Sequence, residues 1–254
     1  MVNFFSIYMP LLRASLKLFG LRPHSVEIEP GTIINVWCPA QTKSNQTKQK
    51  KAVVFLHGFA ADGIFTWQFQ ALALAREYAV YVPDFLFFGG SVTGRADRSP
   101  EFQAECMAKA LRRLGVERCT LVGLSYGGMV GFKMAELYPE LIESVVASST
   151  VMALTESVSS ESLRRLGFEK WSDVLLPETV EGVVKMFDVG SYKVPNAPKW
   201  IFKHFLEVNF ITHFLFHAIF FLYIPLVYTK FTFNFHIHII IYDNDVVSRV
   251  NCYC

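Results

Sequence analysis

Gly123-Leu124-Ser125-Tyr126-Gly127 sets a serine between glycines, where the apolar run "CTLVGLS" gives way to a helical pattern that Pro139 stops. A turn this tight from strand to helix forces strained backbone angles on the serine, and larger side chains two positions to either side would collide. Gly123 and Gly127 therefore predict an exposed hydroxyl at a strand's carboxyl end, beside helix N–H groups that favour developing negative charge. Such a serine suits attack on an acyl carbon, provided that a base takes its proton. A second stretch, His57-Gly58-Phe59, follows another buried run and can turn its backbone toward the serine. The N–H groups of Phe59 and Tyr126 would then be the two donors that an oxyanion needs. His57 reads as a hydrogen-bonded loop histidine, since a general base must reach the hydroxyl itself. Asp84, in "VPDFLFFGGS", is either a carboxylate of the site or a turn residue.

The elements that must position these groups follow from hydrophobic pattern. "SVEIE" and "TIINVWC", parted by Pro30 and Gly31, read as an antiparallel hairpin. The polar, lysine-rich 39–51 reads as a solvated loop. Then strand "AVVFLHG", helix "FTWQFQALALAREY", strand "AVYVPDF", helix "PEFQAECMAKALRRLG", strand "CTLVGLS" and a helix from Gly128 to about Tyr138 alternate. Buried strands alternating with helices predict an α/β fold, a mostly parallel sheet covered on both faces. In the N-terminal segment, 1–24, Leu11, Leu12, Ser15, Leu16 and Phe19 share one helical face opposite Arg13 and Lys17. That face packs on the domain's own core or lies on a membrane surface, and the core is the preferred reading.

Composition bounds the rest. A chain of 254 residues that is 52% hydrophobic and 18% charged can bury one large core. A net charge of +2 with no concentrated basic face argues against nucleic acid as a partner. Five cysteines, odd in number and not spaced as ligands, imply a reducing, cytoplasmic setting and no bound metal.

The HGF stretch, the P-D-x-x-x-x-G-x-S pattern of "PDFLFFGGS" and the GLSYGG turn together resemble the α/β-hydrolase superfamily over roughly residues 25–150. Its plant hydrolase-like and epoxide-hydrolase-like members and its monoacylglycerol-lipase-type branch are the most similar in look. The resemblance implies a nucleophile elbow at Ser125, no cofactor and a helical lid over 151–207, where Trp171, Leu175, Leu176, Met186, Phe187, Trp200 and Phe202 either line an acyl pocket or pack the lid itself. True epoxide hydrolases of this fold carry aspartate at the elbow. Ser125 instead implies acyl transfer from a small hydrophobic carboxylic ester, as in an esterase or lipase.

Residues 208–254 depart from the family texture. From 208 to 242 the only Asp, Glu, Lys or Arg is Lys230. Three readings stay open: a transmembrane helix over Phe210–Tyr228, a set of buried elements, or a tail foreign to the family such as a read-through intron. Membrane contact through 208–242 is expected under the first. The family order Ser, acid, His places the acid at Asp245 in "IIIYDNDVV", yet no histidine follows it. His204, His213, His217, His236 and His238 all precede Asp245, so the base is unassigned and the expected activity is absent or weak. Two alternatives share the fold: a receptor that binds a small ligand without turnover, and a membrane-tethered interaction protein. The ending Cys252-Tyr253-Cys254 resembles a double-prenylation signal, but such motifs are read only in context.

Overall fold

The computed structural model describes residues 4–40, 50–59, 62–150, 156–175, 177–190, 202, 239–243 and 251–253. They fall in two compact units, one of residues 1–152 with 236–254 and the other of 153–235.

The first unit opens with α1 (Phe4–Leu18), then β1 (Leu21–Glu29), β2 (Thr32–Pro39), β3 (Ala52–Leu56), α2 (Gly63–Leu74), β4 (Ala79–Pro83) and α3 (Pro100–Arg113). β5 (Cys119–Leu124), α4 (Tyr126–Leu137), β6 (Ile142–Ser148), β7 (Ile239–Asp243) and β8 (Asn251–Tyr253) complete it. The sheet order is β1-β2-β4-β3-β5-β6-β7-β8. Its four central strands, β4, β3, β5 and β6, run parallel. This is the α/β architecture that the strand–helix alternation predicts.

The apolar strands have two buried faces because side chains alternate across a sheet. Val54 and Leu56 of β3 face a core shared with Met107 and Leu111 of α3 and Val130 and Met134 of α4. Val53 and Phe55 face the opposite core, with Ile64 and Trp67 of α2 and Leu12 and Leu16 of α1. A strand with helices on both sides has no polar face to show, hence the unbroken "AVVFL".

Several boundaries differ from expectation for local reasons. β1 begins at Leu21 rather than Ser25, because Leu21 is buried and its ladder to β2 runs on to Pro39. α2 starts two residues early and stops four short of Tyr78: Asp62 caps it by accepting the Phe65 N–H at 2.8 Å, and Ala75 closes it. α4 starts at Tyr126 rather than Gly128, since the Gly128 and Met129 N–H groups already turn back to the Ser125 carbonyl. In α1 Leu12 and Leu16 are buried and Tyr8 and Met9 pack beside them, whereas Leu11 is 61% exposed. The core-facing side is therefore displaced from the five-residue face predicted, of which Leu11 and Phe19 face solvent.

In the second unit α5 (Glu156–Leu166), α6 (Trp171–Leu175) and α7 (Val180–Gly190) are short helices. Trp171 donates its indole N–H to the Ser159 hydroxyl at 2.7 Å, Met186 is half-buried and Leu175 is 40% exposed. Phe202 is buried; Leu176, Trp200 and the Phe187 side chain lie outside the described residues. So does 208–238, with the Phe210–Tyr228 span. Among the described residues no helix is long and apolar enough to cross a membrane.

Candidate active site

Ser125 stands alone between β5 and α4. Its φ is +53° and its ψ −118°, a left-handed conformation that costs a residue with a Cβ on the order of 1–3 kcal/mol and persists only where neighbours impose it. Three neighbours impose it. The Ser125 N–H donates to the Ser148 carbonyl at 2.9 Å, which ties the turn to β6. Gly127 fits its backbone directly against the Leu56 and His57 carbonyls at the end of β3, where a Cβ would have no room. A Cβ on Gly123 would lie 2.6 Å from the Gly127 oxygen and from Gly128. The serine side chain is left exposed, and Gly58 comes close enough that a Cβ built there would lie 3.6 Å from the Ser125 Cβ.

Tyr126 opens α4, so its N–H is among the first four that no intrahelical carbonyl can receive. Phe59 follows Gly58 and is 44% exposed, its ring meeting Phe88 edge to face at 5.4 Å. Phe85 meets the Tyr126 ring edge to face at 5.5 Å, so aromatic rings flank the serine's turn. Burial pushes the Tyr126 hydroxyl up to about 12, with Glu101 and Asp97 adding to it.

His57 is fully buried and both of its ring nitrogens are taken. The Phe85 N–H donates to Nε2 at 2.9 Å, so Nδ1 carries the proton and donates to the Gly58 carbonyl at 2.7 Å. Burial lowers its pKa, against the opposing pull of Asp84, and keeps the ring neutral. The imidazole thus ties the 57–59 loop to the 84–88 loop. Asp84 is buried too, and its carboxylate accepts from the Gly63 N–H at 2.8 Å, the Asn35 amide at 2.8 Å and the Gly90 N–H at 2.9 Å. Of the two roles that the sequence leaves open for Asp84, the structure places it at the turn. Gly89, at φ +54°, presents its open side to this carboxylate.

Three supporting residues escape the sequence reading. Asn35 sits polar inside "TIINVWC", which is the signal that it has a buried partner. Gln103, buried on α3, accepts from the Leu86 N–H at 3.1 Å and donates to the Leu86 carbonyl at 3.2 Å. Phe87 takes φ +73° beneath the Arg98 guanidinium, 4.1 Å from its ring centre. Nothing in its residue type predicts that conformation.

Asp62 is raised to about 7, first by burial and then by Asp84, while the Phe65 N–H and the Arg13 charge pull the other way. A carboxyl raised in the folded state favours folding at low pH, and that contribution is lost as the pH rises from its ordinary value toward 7. Asp62→Asn keeps the cap without the titration. Its stability relative to the parent should therefore increase from pH 4 to pH 8 in urea unfolding, and a difference independent of pH would contradict the shift.

Asp245 lies outside the described residues. β7 runs antiparallel to β6, with Ile240 opposite Ala147 and Asp243 opposite Ser144. The carboxyl end of β7 thus lies at the end of the strands opposite to Ser125. His204, His213, His217, His236 and His238 also lie outside the described residues. The described histidines are His57 and His24, the latter on the edge strand β1. Among the described residues no group of three or more His, Cys, Asp or Glu could hold a metal ion.

The alpha/beta hydrolase fold family matches residues 51–175. A pimeloyl-[acyl-carrier protein] methyl ester esterase of Aeromonas hydrophila is 30% identical over 143 residues, 55% of this chain and 54% of its own. Epoxide hydrolase 4 of Mus musculus is 28% identical over 101 residues, 38% of this chain and 27% of its own. Among solved structures, a membrane phospholipase A described as a bacterial virulence factor superposes with a TM-score of 0.60 at 23% identity, over 88% of this chain and 69% of that one. The chain spans between 28% and 54% of the length of the curated relatives that it matches first. Over residues 51–175 the chain belongs by sequence to the α/β-hydrolase superfamily, and the sheet order and the superposition show that fold.

Proposed function

We propose that the chain is built for acyl transfer from a carboxylic ester, with Ser125 as the nucleophile. The observation that carries this reading is the exposed Ser125 hydroxyl, held at φ +53° between β5 and α4 by backbone contacts on both sides. Attack on the ester carbon would give a tetrahedral oxyanion within reach of the Tyr126 and Phe59 N–H groups. The alkoxide would leave with a proton, forming an acyl-enzyme that water hydrolyses. A similar protein in Aeromonas hydrophila acts on a methyl ester, which supports the ester class. The exposed aromatic Phe59 beside the serine favours an apolar acyl or alkyl group.

Neither histidine among the described residues is placed to act as the base. His57 spends both nitrogens inside the protein, and His24 is at the far edge of the sheet. Without a histidine on Ser125, a hydrolase of this type keeps only about 10³ to 10⁴ of its rate enhancement over water, from oxyanion binding and positioning. His57 being fully engaged also favours a second reading, in which the site binds an ester-like ligand with negligible turnover.

A fluorophosphonate probe tests both. Phosphonylation of the Ser125 oxygen with loss of fluoride should be slow, and absent in Ser125→Ala. No labelling of the parent would defeat the nucleophile assignment. Rapid stoichiometric labelling would show that a base is in place.

A further inference from the structure

α1 buries one side and leaves a second apolar side in solvent. Leu12 and Leu16 are 6% and 0% exposed, so the face toward α2 and the sheet is already filled. Leu11 and Leu18 are 61% and 86% exposed, with exposed Ala14 between them at helical spacing, which makes one continuous stripe. Arg13 and Lys17, both exposed, stand between that stripe and the buried side. At the carboxyl end of the helix Phe19 is 38% exposed, with the Arg76 guanidinium 5.3 Å from its ring centre. Arg22 donates to the Lys17 carbonyl at 2.6 Å and to the Leu21 carbonyl at 2.8 Å, which holds a further cation at the same end.

The charge beside the stripe is predominantly positive. No Asp or Glu precedes Glu27 in the chain. The carboxylates on the neighbouring element are Asp62, whose partner charge is Arg13, and Glu77, next to Arg76. Two cations thus flank the exposed leucine stripe along one side of a helix of 15 residues, and two more stand at its carboxyl end. Two copies packed through this face would set cation against cation, at a cost that their leucines would have to offset.

We propose that α1 lies flat on an anionic lipid surface, with Leu11, Ala14 and Leu18 entering the interface and Arg13, Lys17, Arg22 and Arg76 among the headgroups. A short helix with an apolar stripe and basic flanks binds such a surface through buried apolar area and electrostatic attraction together. The proposal is independent of the reaction assigned to Ser125.

The test is co-sedimentation of the full chain with phosphatidylcholine vesicles, with and without phosphatidylserine. Binding should require phosphatidylserine and weaken as salt is raised. Lys17→Glu should lower affinity by about tenfold, since one basic residue near such a surface is worth about fivefold and its reversal adds repulsion. Leu11→Asp with Leu18→Asp should lower it by at least about tenfold while leaving the melting temperature unchanged, both positions being exposed. Equal binding to neutral vesicles, or undiminished binding by the double variant, would overturn the proposal. So would a parent dimer that the double variant converts to monomer, because the stripe would then be an interface between copies.

Discussion

Gly127→Ala is expected to abolish the folded state, and with it any labelling of Ser125. A Cβ on Gly127 would stand 2.6 Å from the His57 carbonyl oxygen and nearer still to that of Leu56. Both are backbone atoms of the β3 end, and β3 is paired to β4 on one side and β5 on the other, so it cannot recede. Overfilling a core costs about 1–3 kcal/mol where side chains can move aside. Here the obstacle is main chain, and a loss of about 3 kcal/mol or more is expected on that scale. Gly131→Ala, one turn further along α4, is the control. Its Cβ would meet Val145 at 3.5 Å and Leu56 at 3.6 Å, which is ordinary contact. Alanine in a helix interior is favoured over glycine by about 0.5–1 kcal/mol, so Gly131→Ala should be neutral or stabilising. Urea unfolding followed by circular dichroism separates the two. A Gly127→Ala protein with an unchanged midpoint would mean that the elbow does not press on β3.

What was legible in the sequence follows the same division between local and distant causes. The GLSYG turn could be placed because its requirement is local: a strand, a helix and two positions that admit no Cβ lie within a few residues of one another. The buried strands were legible from unbroken apolar runs, since two covered faces leave no alternation to interpret. The purpose of "PDFLFFGGS" was half legible. Asp84 and the glycines mark a turn, but the partners that make it rigid, Asn35 on β2 and Gly63 on α2, are 49 and 21 residues away. Pairings at such distance leave only a faint signal, a polar residue inside an apolar strand.

The end of the chain shows the limit most clearly. "IIIYD" is strand-forming by composition, and a strand forms there over Ile239–Asp243. Its direction is another matter. A parallel strand beside β6 would deliver its carboxyl end next to Ser125; the antiparallel register delivers Asp243 opposite Ser144 instead. Direction depends on how the chain arrives, and no residue of the strand itself encodes it. The resemblance that nominated Asp245 matched residue types in order, which is silent on direction.

Asp84→Ala is expected to cost about 3–5 kcal/mol and to slow reaction at Ser125 before the protein unfolds. The Asp84 carboxylate serves three donors from three parts of the chain: the Gly63 N–H at the start of α2, the Asn35 amide on β2 and the Gly90 N–H in its own loop. Alanine leaves all three in a site where Asp84 was 4% exposed. Each buried donor without an acceptor costs about 1–3 kcal/mol, reduced where water enters the space left behind. Asp84→Asn separates charge from shape, because its amide keeps one acceptor oxygen and turns an N–H₂ toward donors that have nothing to accept with. It should lie between the parent and the alanine variant in urea stability. The same carboxylate holds the chain that carries Phe85, whose N–H fixes His57, which in turn fixes Gly58 beside the serine. Labelling of Ser125 by a fluorophosphonate should therefore slow in Asp84→Asn under conditions where the variant is still fully folded. Parent-like labelling of a folded but destabilised Asp84→Asn would confine the residue to stability and uncouple it from the loop that Phe59 occupies.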